Sequence, residues 1–94
     1  MKGFEFDPDK SRRNEERHGV GLAWAARLWD EHHVIFKAKD VAGENRCLIL
    51  AKVEGVCYMA VFVRRGRALR IITCHRADER LRRLYAIWVE AAEA

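Results

Sequence analysis

Cysteine, proline and long apolar runs are all scarce in this chain. The three cysteines, Cys47, Cys57 and Cys74, are odd in number, widely spaced and include no C-x-x-C pair. Neither a disulfide framework nor a zinc site is therefore indicated, and all three read as reduced packing residues. No apolar run approaches the ~20 residues needed to cross a bilayer, which excludes a spanning helix and a membrane partner. Residues 1–7 contain no apolar stretch of signal-peptide length, so the chain is expected to be cytoplasmic. Repeats, low-complexity segments and linkers are missing as well. His32 and His33 are adjacent and would point apart on any regular element, which argues against a metal there. No cofactor and no metal are expected.

What is present is a chain of 94 residues, 50% hydrophobic and 34% charged, the balance of one folded domain spanning 1–94. Its charge is uneven. Residues 64–83 hold eight arginines, no lysine and only the acids Asp78 and Glu79, a local charge of +6. The other 74 residues sum to −2. A guanidinium fork grips two phosphate oxygens at once, so dense arginine suits a polyphosphate partner. The competing reading is a solvated face that only confers solubility.

The periodicity predicts an α+β order. Phe4-Glu5-Phe6 alternates as a short strand. Asp7 is an N-cap and Pro8, the only proline, fits the first helical position, giving a helix to about His18 that stops at Gly19. A second N-terminal helix is predicted over Leu22 to Trp29, with Leu22, Ala25, Ala26 and Trp29 on one face. Strands follow at Val34–Phe36, Arg46–Val53, Val56–Val63 and Ala68–Cys74, with turns at Glu54-Gly55 and Arg64–Arg67. On the last strand, Arg70, Ile72 and Cys74 should share one face and Leu69, Ile71 and Thr73 the other, as in a central strand. A closing helix from Ala77 presents Ala77, Leu81, Leu84, Tyr85, Trp88, Val89 and Ala92 as one apolar stripe. The expected architecture is two N-terminal helices, an antiparallel sheet and a C-terminal helix packed on it.

Several motifs stand in one order along these elements. Phe6-Asp7-Pro8, Lys10, Asn14 and Arg17-His18-Gly19 come first, then Gly43-Glu44-Asn45-Arg46. Arg65-Gly66, Arg70-Ile71-Ile72-Thr73, Arg76-Ala77 and Tyr85 follow. Together they resemble the BrnT family over residues 4 to about 85. That resemblance implies a RelE/ParE-like fold and a ribonuclease toxin of a type II toxin–antitoxin pair. It also implies a BrnA-like, DNA-binding antitoxin as partner, RNA as substrate, inhibition of translation, and a possible higher-order toxin–antitoxin assembly. The family's serine is Thr73 here, its alanine is Cys74, and its next arginine is His75. The acid usual in the following helix falls on Leu81, so Leu81→Glu is expected to raise the rate of a weakened site.

Metal-independent RNA cleavage needs a base for the ribose 2′-hydroxyl, charge around the phosphate, and a proton for the leaving oxygen. His75 suits either proton role; a structural histidine at a strand end is the alternative. Arg70 on an apolar strand needs a partner, either a carboxylate such as Glu44 or Asp7, or a substrate phosphate. Arg65 in the hairpin and Arg76 at the strand–helix junction can lean over a sheet face. Tyr85 fits the core, with its hydroxyl in reach of a site edge. The expected catalytic set is thus Arg65, Arg70, His75, Arg76 and Tyr85. RNA contacts are assigned to Arg64, Arg67, Arg80, Arg83 and Lys10. Lys10, Arg13 and Arg17 recur along the first helix as a secondary RNA or antitoxin contact, or simply as an exposed face. His18 precedes Gly19, where an imidazole meets free carbonyls. Against the toxin stands a second reading, an RNA- or antitoxin-binding module of the same fold with weakened catalysis. A third is a small domain whose arginines serve only solubility and docking.

Overall fold

Asp7 and Pro8 start the first helix as their chemistry requires. In a computed structural model that describes residues 3–93, α1 spans Pro8–His18, and the Asp7 carboxylate accepts from the Asp9 and Lys10 amides. Those bonds, the Lys10 amide first, hold the Asp7 carboxyl below its ordinary value. Gly19 ends α1 at φ 82°, the left-handed conformation that favours glycine, and its amide donates to the Glu15 carbonyl.

Five strands follow the chain as β1 (Gly3–Glu5), β2 (His33–Lys37), β3 (Arg46–Val53), β4 (Val56–Arg65) and β5 (Ala68–Arg76). They form one sheet in the order β1-β5-β4-β3-β2. Glu54 and Gly55 both have positive φ, the two-residue hairpin turn whose twist matches the strands it joins. β1 runs parallel to β5, pairing Gly3–Glu5 with Ala68–Arg70, whereas all other pairs are antiparallel.

The layout departs from the expected two N-terminal helices and antiparallel sheet. There is one N-terminal α-helix, and the sheet is mixed because β1 precedes α1 and returns alongside the last strand. The predicted second helix is a 3₁₀ segment, Trp24–Asp30, with no side-chain cap at its start. Its fully buried residues are Ala25 and Leu28, and with Leu22 in the turn before it they give an i, i+3 spacing that a three-residue turn satisfies.

Each sheet face carries its own core. Ile49, Ala51, Val53, Ala60, Phe62, Leu69, Ile71 and Cys74 pack with Leu22, Ala25 and Leu28. On the opposite face, Leu50, Cys57 and Met59 meet Ala77, Leu81, Tyr85 and Val89. Those last residues belong to the C-terminal helical run: α2 (Glu79–Tyr85), capped by the Asp78 side chain, a π-helical turn at Ala86–Glu90, and α3 (Ala91–Glu93). The π turn shifts the helical phase after Tyr85. Trp88, expected on the buried stripe, is consequently 60% exposed, while Val89 stays inside. Burial pushes the Cys74 thiol up to about 12 and raises that of Cys57, so both are inert packing groups.

β5 contains the irregularity that matters most. Val61 pairs with Thr73 but Phe62 with Ile71, leaving Ile72 as a bulge residue. The extra residue resets the alternation, so Cys74 joins Leu69 and Ile71 in one core instead of sharing a face with Arg70. Beyond Arg70, β5 has no strand partner on the β1 side among the described residues, and α1 packs against it there. Apart from Pro8, every residue of α1 is polar or charged, and Asn14 is the one buried polar side chain among the described residues. Its Nδ2 donates to the Cys74 and Val20 carbonyls, both at 2.7 Å. Its Oδ1 accepts from the Cys74 amide at 3.3 Å and the Thr73 hydroxyl at 3.1 Å.

Two stability outcomes follow from these placements. Asn14→Ala strands buried carbonyls and an amide at ~1–3 kcal/mol each, for a total of about 3 kcal/mol after relaxation. For a domain of this size that lowers Tm by roughly 15 °C. A thermal melt within about 3 °C of wild type would show that the carboxamide is dispensable. Leu81 is only 9% exposed and joins the second core. Leu81→Glu should therefore destabilise by several kcal/mol (order of magnitude) instead of repairing a site. An unchanged Tm with a faster enzyme would refute that reading.

Candidate functional site

α1 and the bulged half of β5 enclose a cleft of about 250 Å³ lined by Lys10, Arg13, Asn14, Arg17, His18, Ile72 and Thr73. The helical repeat brings Lys10, Arg13 and Arg17 to one side at spacings of three and four. Among the described residues none of the three is in an ion pair, so their charge faces the cleft and solvent. Asn14 forms the floor by tying α1 to Thr73 and Cys74. The Thr73 hydroxyl is committed to Asn14.

His18 and His75 meet at the end of this cleft, their ring centroids 5.0 Å apart and inclined by 40°. The His75 Nδ1 is 2.9 Å from the Arg76 carbonyl oxygen. Since a carbonyl only accepts, that nitrogen carries the hydrogen and Nε2 is left for other chemistry. His18 is held below the ordinary histidine value, first by burial and then by the charges of His75 and Arg17.

The expected catalytic residues are not assembled into one site. Arg65 pairs with Glu44 at 2.8 Å at the hairpin end of the sheet. From the Arg65 partner Ala68 to His75 is seven residues, and at ~3.3 Å per residue that separates the ends by about 20 Å. Arg70 pairs across β1 with Glu5 at 3.4 Å, so its carboxylate partner is neither Glu44 nor Asp7. Tyr85 lies in the second core, its hydroxyl donating to the His32 carbonyl at 3.2 Å and its ring beside Lys52. That places it with β3 and the start of β2, away from β5. Of the expected catalytic set, His75 is the member that stands beside the α1 cleft, against His18.

The expected RNA contacts divide similarly. Arg64 lines a separate cleft of about 380 Å³ with Gly43, Glu44, Asn45, Cys47 and Val63. Arg67 is exposed in the hairpin, Arg80 is exposed on α2, and Arg83 pairs with Glu79. Lys10 is the one member of that set inside the cleft. Arg13 and Arg17, which the helical spacing singled out only as a secondary contact, belong with it. Asn14 and His18 were missed as functional positions. The signal available was their setting: a polar helix with no apolar face must dock through one of its polar residues.

Among the described residues no group of three or more His, Cys, Asp or Glu side chains is placed to hold a metal ion, and no helix is long and apolar enough to cross a membrane. No curated protein and no solved structure matches the chain. Residues 6–80 match the family described as the ribonuclease toxin, BrnT, of type II toxin–antitoxin systems. The matched stretch runs from Phe6, just before the N-cap of α1, through the cleft and β5 to Arg80. The chain therefore belongs to the BrnT family of type II ribonuclease toxins, whose members act on RNA and are paired with a protein antitoxin.

Proposed function

We propose that this chain is a metal-independent endoribonuclease toxin, acting in the cytoplasm to inhibit translation, and that a BrnA-like antitoxin neutralises it. The observation that carries the reading is the α1–β5 cleft, where Lys10, Arg13 and Arg17 stand without ion-pair partners among the described residues, beside two imidazoles. Three cations along one wall match the repeating charge of an RNA backbone, and His75 offers a nitrogen for proton transfer at the scissile phosphate. Arg76, Arg80 and Arg64, with Arg67 and Arg83, extend the basic surface as outer RNA contacts. Arg65 and Arg70 reach a phosphate only by leaving Glu44 and Glu5, which assigns them a structural part before a catalytic one. An antitoxin segment carrying acidic side chains would occupy the same cleft and so exclude RNA. Residues 1–94 act in this reading as one toxin domain.

A second reading, an RNA- or antitoxin-binding module with weakened catalysis, is favoured by one observation: Leu81 fills the core where the family pattern has an acid. Product chemistry separates the two. The enzyme should cut RNA in the presence of a chelator and leave 2′,3′-cyclic phosphate ends, and its induced expression should arrest growth unless the antitoxin is supplied. Tight RNA binding with no cleavage under any condition would favour the binding module. The Lys10→Ala/Arg13→Ala/Arg17→Ala variant should lose about tenfold or more in RNA affinity, and the salt slope of log K should fall by about 2. An Arg65→Ala/Arg70→Ala variant should lose less. Equal losses from both variants would remove the cleft as the RNA site.

A further inference from the structure

Two histidines in one cleft need not do the same work. His75 replaces an arginine of the family pattern and donates its Nδ1 hydrogen to a backbone carbonyl, which orients its Nε2 away from that bond. His18 is the last residue of α1, half inside the cleft, with Arg17 and His75 as the charged groups facing it. Both neighbours disfavour a proton on His18, as does its burial. Paired titrating groups whose surroundings differ in this way divide naturally into a base and an acid. Their separation of 5.0 Å between ring centroids lets one phosphodiester entering from the Arg13–Arg17 side meet both.

We propose that His18 is a catalytic residue, the general base that takes the 2′-hydroxyl proton of the bound RNA, while His75 is the general acid for the leaving oxygen. The inference rests on the RNA-cleaving reading given above. In the step itself the neutral His18 ring accepts the 2′-hydroxyl proton as the 2′ oxygen attacks phosphorus. The bond from phosphorus to the 5′ oxygen breaks, and that oxygen takes the Nε2 proton of the His75 imidazolium. The products are a 2′,3′-cyclic phosphate and a 5′-hydroxyl. His18 leaves the step protonated and His75 neutral, and exchange with water restores both. Lys10, Arg13 and Arg17 stabilise the charge that builds on the non-bridging oxygens.

Substrates with different leaving groups test the division of roles. An RNA dinucleotide expels an alkoxide that needs a proton, whereas a uridine 3′-nitrophenyl phosphodiester expels a nitrophenolate that does not. Loss of the base should slow both substrates by about 100-fold or more, the lower end of what a positioned proton-transfer group supplies. His18→Ala should show that double loss. His75→Ala should be slowed comparably on the dinucleotide but only a few-fold, ~3, on the nitrophenyl ester. The acid limb of the wild-type kcat/KM profile, below the ordinary histidine value of 6.5, should vanish in His18→Ala. If the alanine variant does not fold, His18→Gln keeps a polar group at the helix end without a titrating proton and carries the same test.

A wild type that cleaves while His18→Ala keeps its rate on both substrates would overturn the assignment and leave the ribonuclease reading intact. The leaving-group pattern appearing in His18→Ala instead of His75→Ala would overturn it by reversing the roles. A wild type that cleaves neither substrate would overturn both readings together.

Discussion

A single carboxamide holds the functional half of this molecule in place. α1 brings no apolar face to the sheet, so the hydrophobic effect that seats most surface helices gives it little. Asn14 substitutes for that face by presenting one acceptor and two donor hydrogens to backbone groups of β5 and of the chain leaving α1. The Ser11 hydroxyl adds a second polar tie, accepting from the Leu22 amide at 2.8 Å. Everything in the cleft is positioned through these bonds: the three cations share the helix with Asn14, His18 ends it, and Thr73 is pinned beneath it.

Linear charge density and three-dimensional charge differ here. The eight arginines of residues 64–83 dominate the sequence, yet folding spreads them from the hairpin tip through β5 to α2 and pairs several of them with acids. Glu44 draws Arg65 and Arg46 together, which clamps the start of β3 to the end of β4. Glu5 does the same for Arg70 across the parallel pair. The less conspicuous cations Lys10, Arg13 and Arg17 keep their charge available, whereas Asp9 of the same helix is taken by Arg12. Exposed arginine pairs contribute little to stability, ~1 kcal/mol or less each, so the clamps read as registration of the strand ends.

Much of the element order was legible from local chemistry. Asp7-Pro8 and Gly19 delimit α1 because caps act through the nearest backbone groups, and Gly55 marks the tight hairpin for the same reason. The parts that were not legible depend on partners distant in sequence. Parallel pairing of β1 with β5 links residues some 65 positions apart and leaves no mark in the alternation of Phe4, Glu5 and Phe6. The Leu22–Trp29 spacing fits an α-helix and a 3₁₀ segment almost equally over so few residues, and packing decided it. The Ile72 bulge and the π turn after Tyr85 each insert a phase change that a periodic reading must miss, which is why Cys74 and Trp88 were placed on the wrong faces. His18 and His75, 57 positions apart, could be joined only once Asn14 had fixed α1 against β5.

The Asn14 pairing with Cys74 also has a bearing on self-association. A strand edge with unused amides and carbonyls is a template on which another chain can add, and β5 beyond Arg70 would be such an edge. The carboxamide occupies both groups of Cys74, and the helix behind it blocks approach to the rest. The rims that remain are β1, three residues long, and β2, where the exposed His33 and Lys37 flank Ile35. The contact that seats the basic helix thus also closes the far end of β5 as an edge along which copies of this chain could have joined sheet to sheet.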